Sequence, residues 1–129
     1  MSSFSKSFIL SIFLLLNCAF VQAVSDLVTP KEASVLTSEK KAVIVDVREE
    51  DEWNAGHIAG AVHIPLKQLE TRLPELQQYK DKTIITQCRS GKRSADALEV
   101  LKSAGFTNVY SMDGGIMAWS KDGLTMQQK

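Results

Sequence analysis

Residues 83–105 of this 129-residue chain leave few folds open. The apolar run Thr83-Ile84-Ile85-Thr86-Gln87 has the length and β-branched content of a strand. Ala97, Leu98, Leu101 and Ala104 then recur at helical spacing until Gly105. Between them lies Cys88-Arg89-Ser90-Gly91-Lys92-Arg93-Ser94, a loop that turns a strand directly into a helix. Such a junction belongs to parallel α/β sheets, whose strands are joined through helices.

The rest of the chain reads the same way. Thr29-Pro30-Lys31-Glu32 predicts a helix start, with a hydroxyl cap, proline at the first helical position and glutamate three residues after the cap. That helix runs to about Ser38. Ala42 to Val47, apolar except at Asp46, predicts a strand covered on both faces. Asp46-Val47-Arg48 falls at its carboxyl end, where open α/β sheets build their sites. Glu49 to Asn54, acidic and carrying Trp53, predicts a short helix ended by Gly56.

His57 to Ala61 connects to a short strand at Val62-His63-Ile64, closed by Pro65. Leu66, Leu69 and Leu73 predict a second short helix broken at Pro74, with Leu76 and Tyr79 packed beneath the connection. Ser94 to Ala104 is a helix, and Phe106 folds back over its last turn beyond Gly105. Asn108-Val109-Tyr110 predicts the last strand, Asp113-Gly114-Gly115 a turn, Ile116 to Lys121 a helix carrying Trp119, and Gly123 onward a tail. The sum is a three-layer α/β domain with a small, mainly parallel sheet flanked by helices.

The first residues differ in kind. Lys6 is the only charge before Asp26, Phe8 to Leu16 is almost wholly apolar, and Val21-Gln22-Ala23 offers small residues for cleavage. This reads as a secretory signal peptide over 1–23, followed by one domain over 24–129. The apolar core is shorter than the roughly 20 residues a membrane span needs. The expectation is an exported, soluble domain in the bacterial periplasm. Leu15-Leu16-Asn17-Cys18 loosely resembles a lipoprotein cleavage site and keeps a lipid-anchored envelope form open.

Cleavage after Ala23 removes one of the 15 basic side chains, Lys6, and none of the 15 acidic ones. A balanced charge gives no global reason to expect nucleic acid or an anionic membrane as partner, and a monomer is the expected state. It also removes one of the two cysteines, leaving Cys88 without a partner for an internal disulfide. A lone cysteine is often a buried structural thiol. A turn rich in Gly, Ser and Arg is a poor place for one.

In that loop, helix-end amides and the cations Arg89, Lys92 and Arg93 converge on one sulfur. An ordinary cysteine is only a few per cent thiolate at neutral pH, and such surroundings favour the ion. The same cradle holds a terminal sulfur, a sulfonate or a phosphate. Gly91 permits a backbone angle that a tight loop around one atom needs. Ser90 and Ser94 offer hydroxyl donors, or Ser94 caps the helix. Arg48 is open to an ion pair with Glu52 or a neighbour, and His57 to a bond with backbone.

With this loop, Asp46-Val47-Arg48-Glu49, Gly56-His57-Ile58-Ala59-Gly60-Ala61-Val62-His63-Ile64-Pro65 and Asp113-Gly114-Gly115-Ile116-Met117-Ala118-Trp119, the chain resembles the rhodanese sulfurtransferase family from about Leu27 to Gly123. The resemblance implies that Cys88 attacks the outer sulfur of thiosulfate, releases sulfite and becomes a persulfide. A thiophilic acceptor such as cyanide or a thiol then takes the sulfur, with no metal or organic cofactor. It implies that Arg89 to Ser94 form the cradle, that Arg93 closes it, that Arg89 and Lys92 meet substrate, and that Asp46, Arg48 and His57 support the site.

Three other readings remain at this level. Cysteine-loop phosphatases cradle a phosphoryl group with five residues between cysteine and arginine, whereas Cys88 and Arg93 enclose four. A non-catalytic binding module of the same fold is another. An envelope carrier of sulfur or oxidising equivalents is the third.

Overall fold

The computed structural model describes residues 25–127. The segment read as a signal peptide, with Cys18 and the Ala23 cleavage site, lies outside the described residues. Five parallel strands form the central sheet: β1 (Leu27–Val28), β2 (Ala42–Asp46), β4 (Val62–His63), β5 (Thr83–Gln87) and β6 (Val109–Met112), in the spatial order β1-β6-β5-β2-β4. The two central strands pair over their whole length, Ala42 opposite Thr83 through Asp46 opposite Gln87. All five residues of β2 are buried, as a strand covered on both faces must be.

Alternation along the strands sends side chains into two cores. Val43, Val45 and Ile84 pack with Ala97, Leu98 and Leu101 of α4 (Lys92–Ser103) and with Leu69 of α3 (Leu69–Arg72). On the other face Ile44, Ile85 and Met112 pack with Ala33 of α1 (Pro30–Ser38) and with Ile116 and Trp119 of α5 (Gly115–Lys121). These are the outer layers of the three-layer domain. Each fully buried aliphatic side chain contributes about 1.5–3 kcal/mol by leaving water.

Local chemistry sets the helix ends. Thr29 Oγ1 accepts the amide of Glu32 at 3.1 Å, with Pro30 beginning α1 as the sequence predicts. At the end of α4 the amides of Gly105 and Phe106 donate to Lys102 and Leu101, which carries Phe106 into the first core. The helix itself begins at Lys92, two residues before Ser94, because Gly91 is its cap.

Three expectations change. The α-helix does stop before Pro74, at Arg72, but the chain keeps turning beyond it: Pro74 sits in the first turn of a 3₁₀ segment, Leu73–Tyr79, where the missing N–H has no bond to lose. α3 is only four residues and is preceded by a 3₁₀ turn at Leu66–Gln68. His57–Ile58 is a strand, β3, and the tail returns as β7 (Met126–Gln127) to pair with it antiparallel, Ile58 opposite Met126. Strands of two residues carry no periodicity, so only the fold brings them together. The acidic helix is α2 (Glu50–Ala55), and the last predicted strand extends to Met112.

Candidate active site

β5 delivers Cys88 to the carboxyl edge of the sheet, and Gly91 turns the chain into α4 with φ at 121°, a value that favours glycine. The fold over the sulfur leaves Cys88 1% exposed. The Gly91 amide donates to Sγ at 3.1 Å, and Ser94 Oγ lies 3.5 Å from it. Burial pushes the thiol up. The Ser94 hydroxyl and the amides of Ser94, Gly91 and Ser90 together outweigh burial and hold Cys88 below the ordinary cysteine value. The thiolate is thus favoured by hydrogen bonds.

Ser94 does not cap α4. Its hydroxyl donates to Gly91 O at 3.0 Å and accepts from Ser111 Oγ at 2.8 Å, while Thr86 Oγ1 donates to Ser94 O at 2.8 Å. Ser94, Ser111 and Thr86 are all buried. A hydroxyl that already accepts from Ser111 has its own proton free for Gly91 O or for the sulfur.

The three cations of the loop part company. Arg93 commits its guanidinium to Glu52, Nη1 to Oε1 at 2.6 Å and Nη2 to Oε2 at 3.0 Å. The same carboxylate accepts the Glu49 amide at 3.2 Å, so it closes the first turn of α2 and ties that helix to the cysteine loop. Arg93 holds Glu52 down to about 2. Arg89 and Lys92 are exposed and make no salt bridge among the described residues.

Asp46, Arg48 and His57 stand behind the loop. Arg48 pairs with its neighbour Asp46 instead of Glu52: Nε and Nη2 reach the carboxylate at 3.0 and 2.8 Å, and Nη2 also donates to Gly56 O at 2.8 Å. Both residues are buried. His57 donates from Nδ1 to Trp53 O at 3.0 Å and stacks on the Trp53 ring at 3.6 Å between centroids. His63 stacks on the same ring at 4.6 Å and donates from Nε2 to Arg48 O at 2.8 Å.

Several residues that sequence reading missed complete the site. Gly115 lies so close to the loop that a Cβ there would meet Cys88 O and would stand 2.6 Å from Arg89 O. The amides of Ile116 and Met117 donate to Cys88 O and Arg89 O at 2.8 and 3.1 Å. Gln87 adds Nε2 to Cys88 O at 2.9 Å, while its Oε1 is buried without a partner. The motif from Asp113 to Trp119 was the sequence signal for Gly115, Ile116 and Met117, and an amide at the strand end beside Cys88 that for Gln87. Among the described residues no cluster of His, Cys, Asp and Glu could hold a metal ion.

A cysteine cradled by amides at the carboxyl edge of a five-stranded parallel sheet defines a cysteine-loop α/β domain, whose inward-facing amides suit a negative charge at the thiol. Residues 29–122 match the model of the rhodanese-like domain, and the chain belongs to that family. It is 38% identical over 95 residues to the probable adenylyltransferase/sulfurtransferase MoeZ of Mycobacterium tuberculosis, covering 73% of this chain and 24% of that one. A rhodanese-related protein from Thermoplasma volcanium superposes with a TM-score of 0.72 at 29% identity, over 79% of this chain and 97% of that one. A thiosulfate sulfurtransferase from Pseudomonas aeruginosa gives 0.74 at 25%, over 83% and 21%. The chain therefore spans about a quarter of the MoeZ relative.

Proposed function

We propose that the domain is a sulfurtransferase that carries sulfane sulfur on Cys88 from thiosulfate, or a similar small anionic donor, to a thiophilic acceptor. The observation that carries this reading is the ring of donors around one sulfur: Gly91 N at 3.1 Å, with the amides of Ser90 and Ser94 and the Ser94 hydroxyl. The Cys88 thiolate attacks the outer sulfur of thiosulfate; a new S–S bond forms, the old one breaks, and its electron pair leaves with sulfite. The terminal sulfur of the persulfide is an anion in the same cradle. An acceptor thiolate or cyanide then attacks that outer sulfur, and the electron pair of the breaking bond returns to Cys88. The cycle is covalent and ping-pong.

Intact-mass measurement after thiosulfate treatment tests it. The expected result is the mass of one sulfur atom added to the protein, removed by cyanide and missing from Cys88→Ser. No adduct and no sulfite would sink the proposal, and phosphate release from an aryl phosphate would turn it to a phosphatase.

Export is part of the same proposal, supported by the apolar run Phe8 to Leu16 and the small residues up to Ala23. The mature N-terminus measured on protein from a periplasmic fraction is expected to be Val24. An acylated Cys18 would instead make it a lipoprotein.

A further inference from the structure

Beside the cysteine loop lies an open cleft of about 490 Å³ with an apolar floor of Ala55, Ile116, Met117 and Met126. The sequence did not reveal it, because the wall from Met126 exists only through the pairing of β7 with β3. The cleft adjoins the nucleophile's own peptide, since the Ile116 amide donates to Cys88 O at 2.8 Å and the Met117 amide to Arg89 O at 3.1 Å. Met117 is 54% exposed and offers its side chain to whatever enters the cleft.

The charges at its edge have one sign to spare. Arg48 is neutralised by Asp46 and Glu52 by Arg93. Arg89, which also lines the cleft, makes no salt bridge among the described residues. An apolar floor with one uncompensated cation suits a molecule with an aliphatic body and a single anionic end.

We propose that this cleft is the acceptor subsite, and that it selects thiols with an aliphatic chain ending in a carboxylate. The inference rests on the sulfurtransferase reading above. The acceptor lays its chain on Met117, Ile116 and Met126, sets its carboxylate against Arg89, and presents its thiolate to the outer sulfur of the Cys88 persulfide. The acceptor sulfur bonds to that outer sulfur, the bond to Cys88 Sγ breaks with its electron pair returning to Cys88, and the product leaves as an acceptor persulfide. No oxidant or reductant is consumed.

The test separates the two half-reactions. Protein loaded with thiosulfate is desalted, and discharge is followed by mass with mercaptoacetate, mercaptopropionate, mercaptobutyrate and mercaptohexanoate, each beside the mercapto-alcohol of equal length at equal thiolate concentration. The discharge rate is expected to rise about twofold per added methylene, less than the fourfold of full burial because the cleft is open. The carboxylates are expected to exceed the alcohols by about two- to fivefold. Met117→Gln, at an exposed site, flattens the dependence on length without changing discharge by cyanide, and Arg89→Gln removes the advantage of each carboxylate over the alcohol of equal length. Rates independent of length and carboxylate, with loading and cyanide discharge intact, overturn the subsite and leave the sulfurtransferase standing. Failure to load with sulfur overturns the sulfurtransferase reading and the subsite with it.

Discussion

The Ser111 hydroxyl donates to Ser94 Oγ across 2.8 Å, from β6 to the first turn of α4, and Ser94 Oγ in turn lies 3.5 Å from Cys88 Sγ. One proton decides what Ser94 offers the sulfur. With Ser111 filling one of its acceptor positions, Ser94 turns its own proton toward the thiolate once the charge forms. Ser94→Ala is expected to slow alkylation of Cys88 by iodoacetamide at neutral pH about fivefold, the equivalent of one hydrogen bond. The Cys88 titration moves to higher pH, because a donor that favoured the charged form is gone. Ser111→Ala has a smaller effect in the same direction and none in the Ser94→Ala background. Additive effects would show that the two hydroxyls act separately.

The Glu52–Arg93 pair makes stability depend on acid. Arg93 holds Glu52 at about 2 in the fold against 4.5 for a free side chain. A depressed carboxylate contributes stability that is fully present above 4.5 and is lost as pH falls toward 2. Both side chains are partly exposed, and screening limits the contribution to about 1 kcal/mol. Glu52→Gln is expected to cost that amount in urea unfolding at neutral pH, and the difference from wild type should close as the pH falls through that window. A difference constant with pH would refute the pairing as its source.

The Asp46–Arg48 pair is buried, and removing one partner strands the other. Arg48→Met removes the guanidinium from the Asp46 carboxylate and from Gly56 O, leaving the buried carboxylate only the residue-48 amide at 3.0 Å. The expected loss is about 3–5 kcal/mol in denaturant unfolding. Persulfide formation per folded molecule should hold, because the guanidinium is spent on Asp46 and backbone. A stable variant that cannot load sulfur would instead give Arg48 a direct part in the chemistry.

Two glycines set the loop for different reasons. Gly91 has a φ of 121°, and a Cβ there would make only an ordinary contact, 3.9 Å from Gly114 N, so Gly91→Ala costs about 1–2 kcal/mol in backbone strain. Gly115 faces the Cys88 and Arg89 backbone, which cannot move aside without moving the nucleophile. Gly115→Ala is expected to lower both the melting temperature and the yield of persulfide, and more than Gly91→Ala does. Calorimetry with intact-mass measurement on both variants checks the order.

Much of this was legible because it is written locally. The Thr29 cap, the strands at Ala42 and Thr83, the junction at Cys88 and the stop at Gly105 are each specified by neighbours within a few residues. Pro74 marked the end of α3 but not the 3₁₀ segment that follows, because a proline ends an α-helix and equally begins a 3₁₀ turn. His57–Ile58 and Met126–Gln127 were invisible because each is half of a two-residue ladder whose partner lies far along the chain.

The sequence alone determined the parallel α/β domain, the place of Cys88 at a strand-to-helix junction, and the glycine and cations around it. Tertiary structure decided how those cations are used: Glu52, 41 positions away, takes Arg93, while Arg89 is left at the edge of a cleft. It also decided that Ser111 stands behind Ser94 and that Gly115 presses on the loop. The physical reason is range. Helix caps, turns and strand patterns arise from contacts within a few residues, whereas a carboxylate finds its guanidinium, or a hydroxyl its acceptor, only after packing has brought separate elements within about 3 Å.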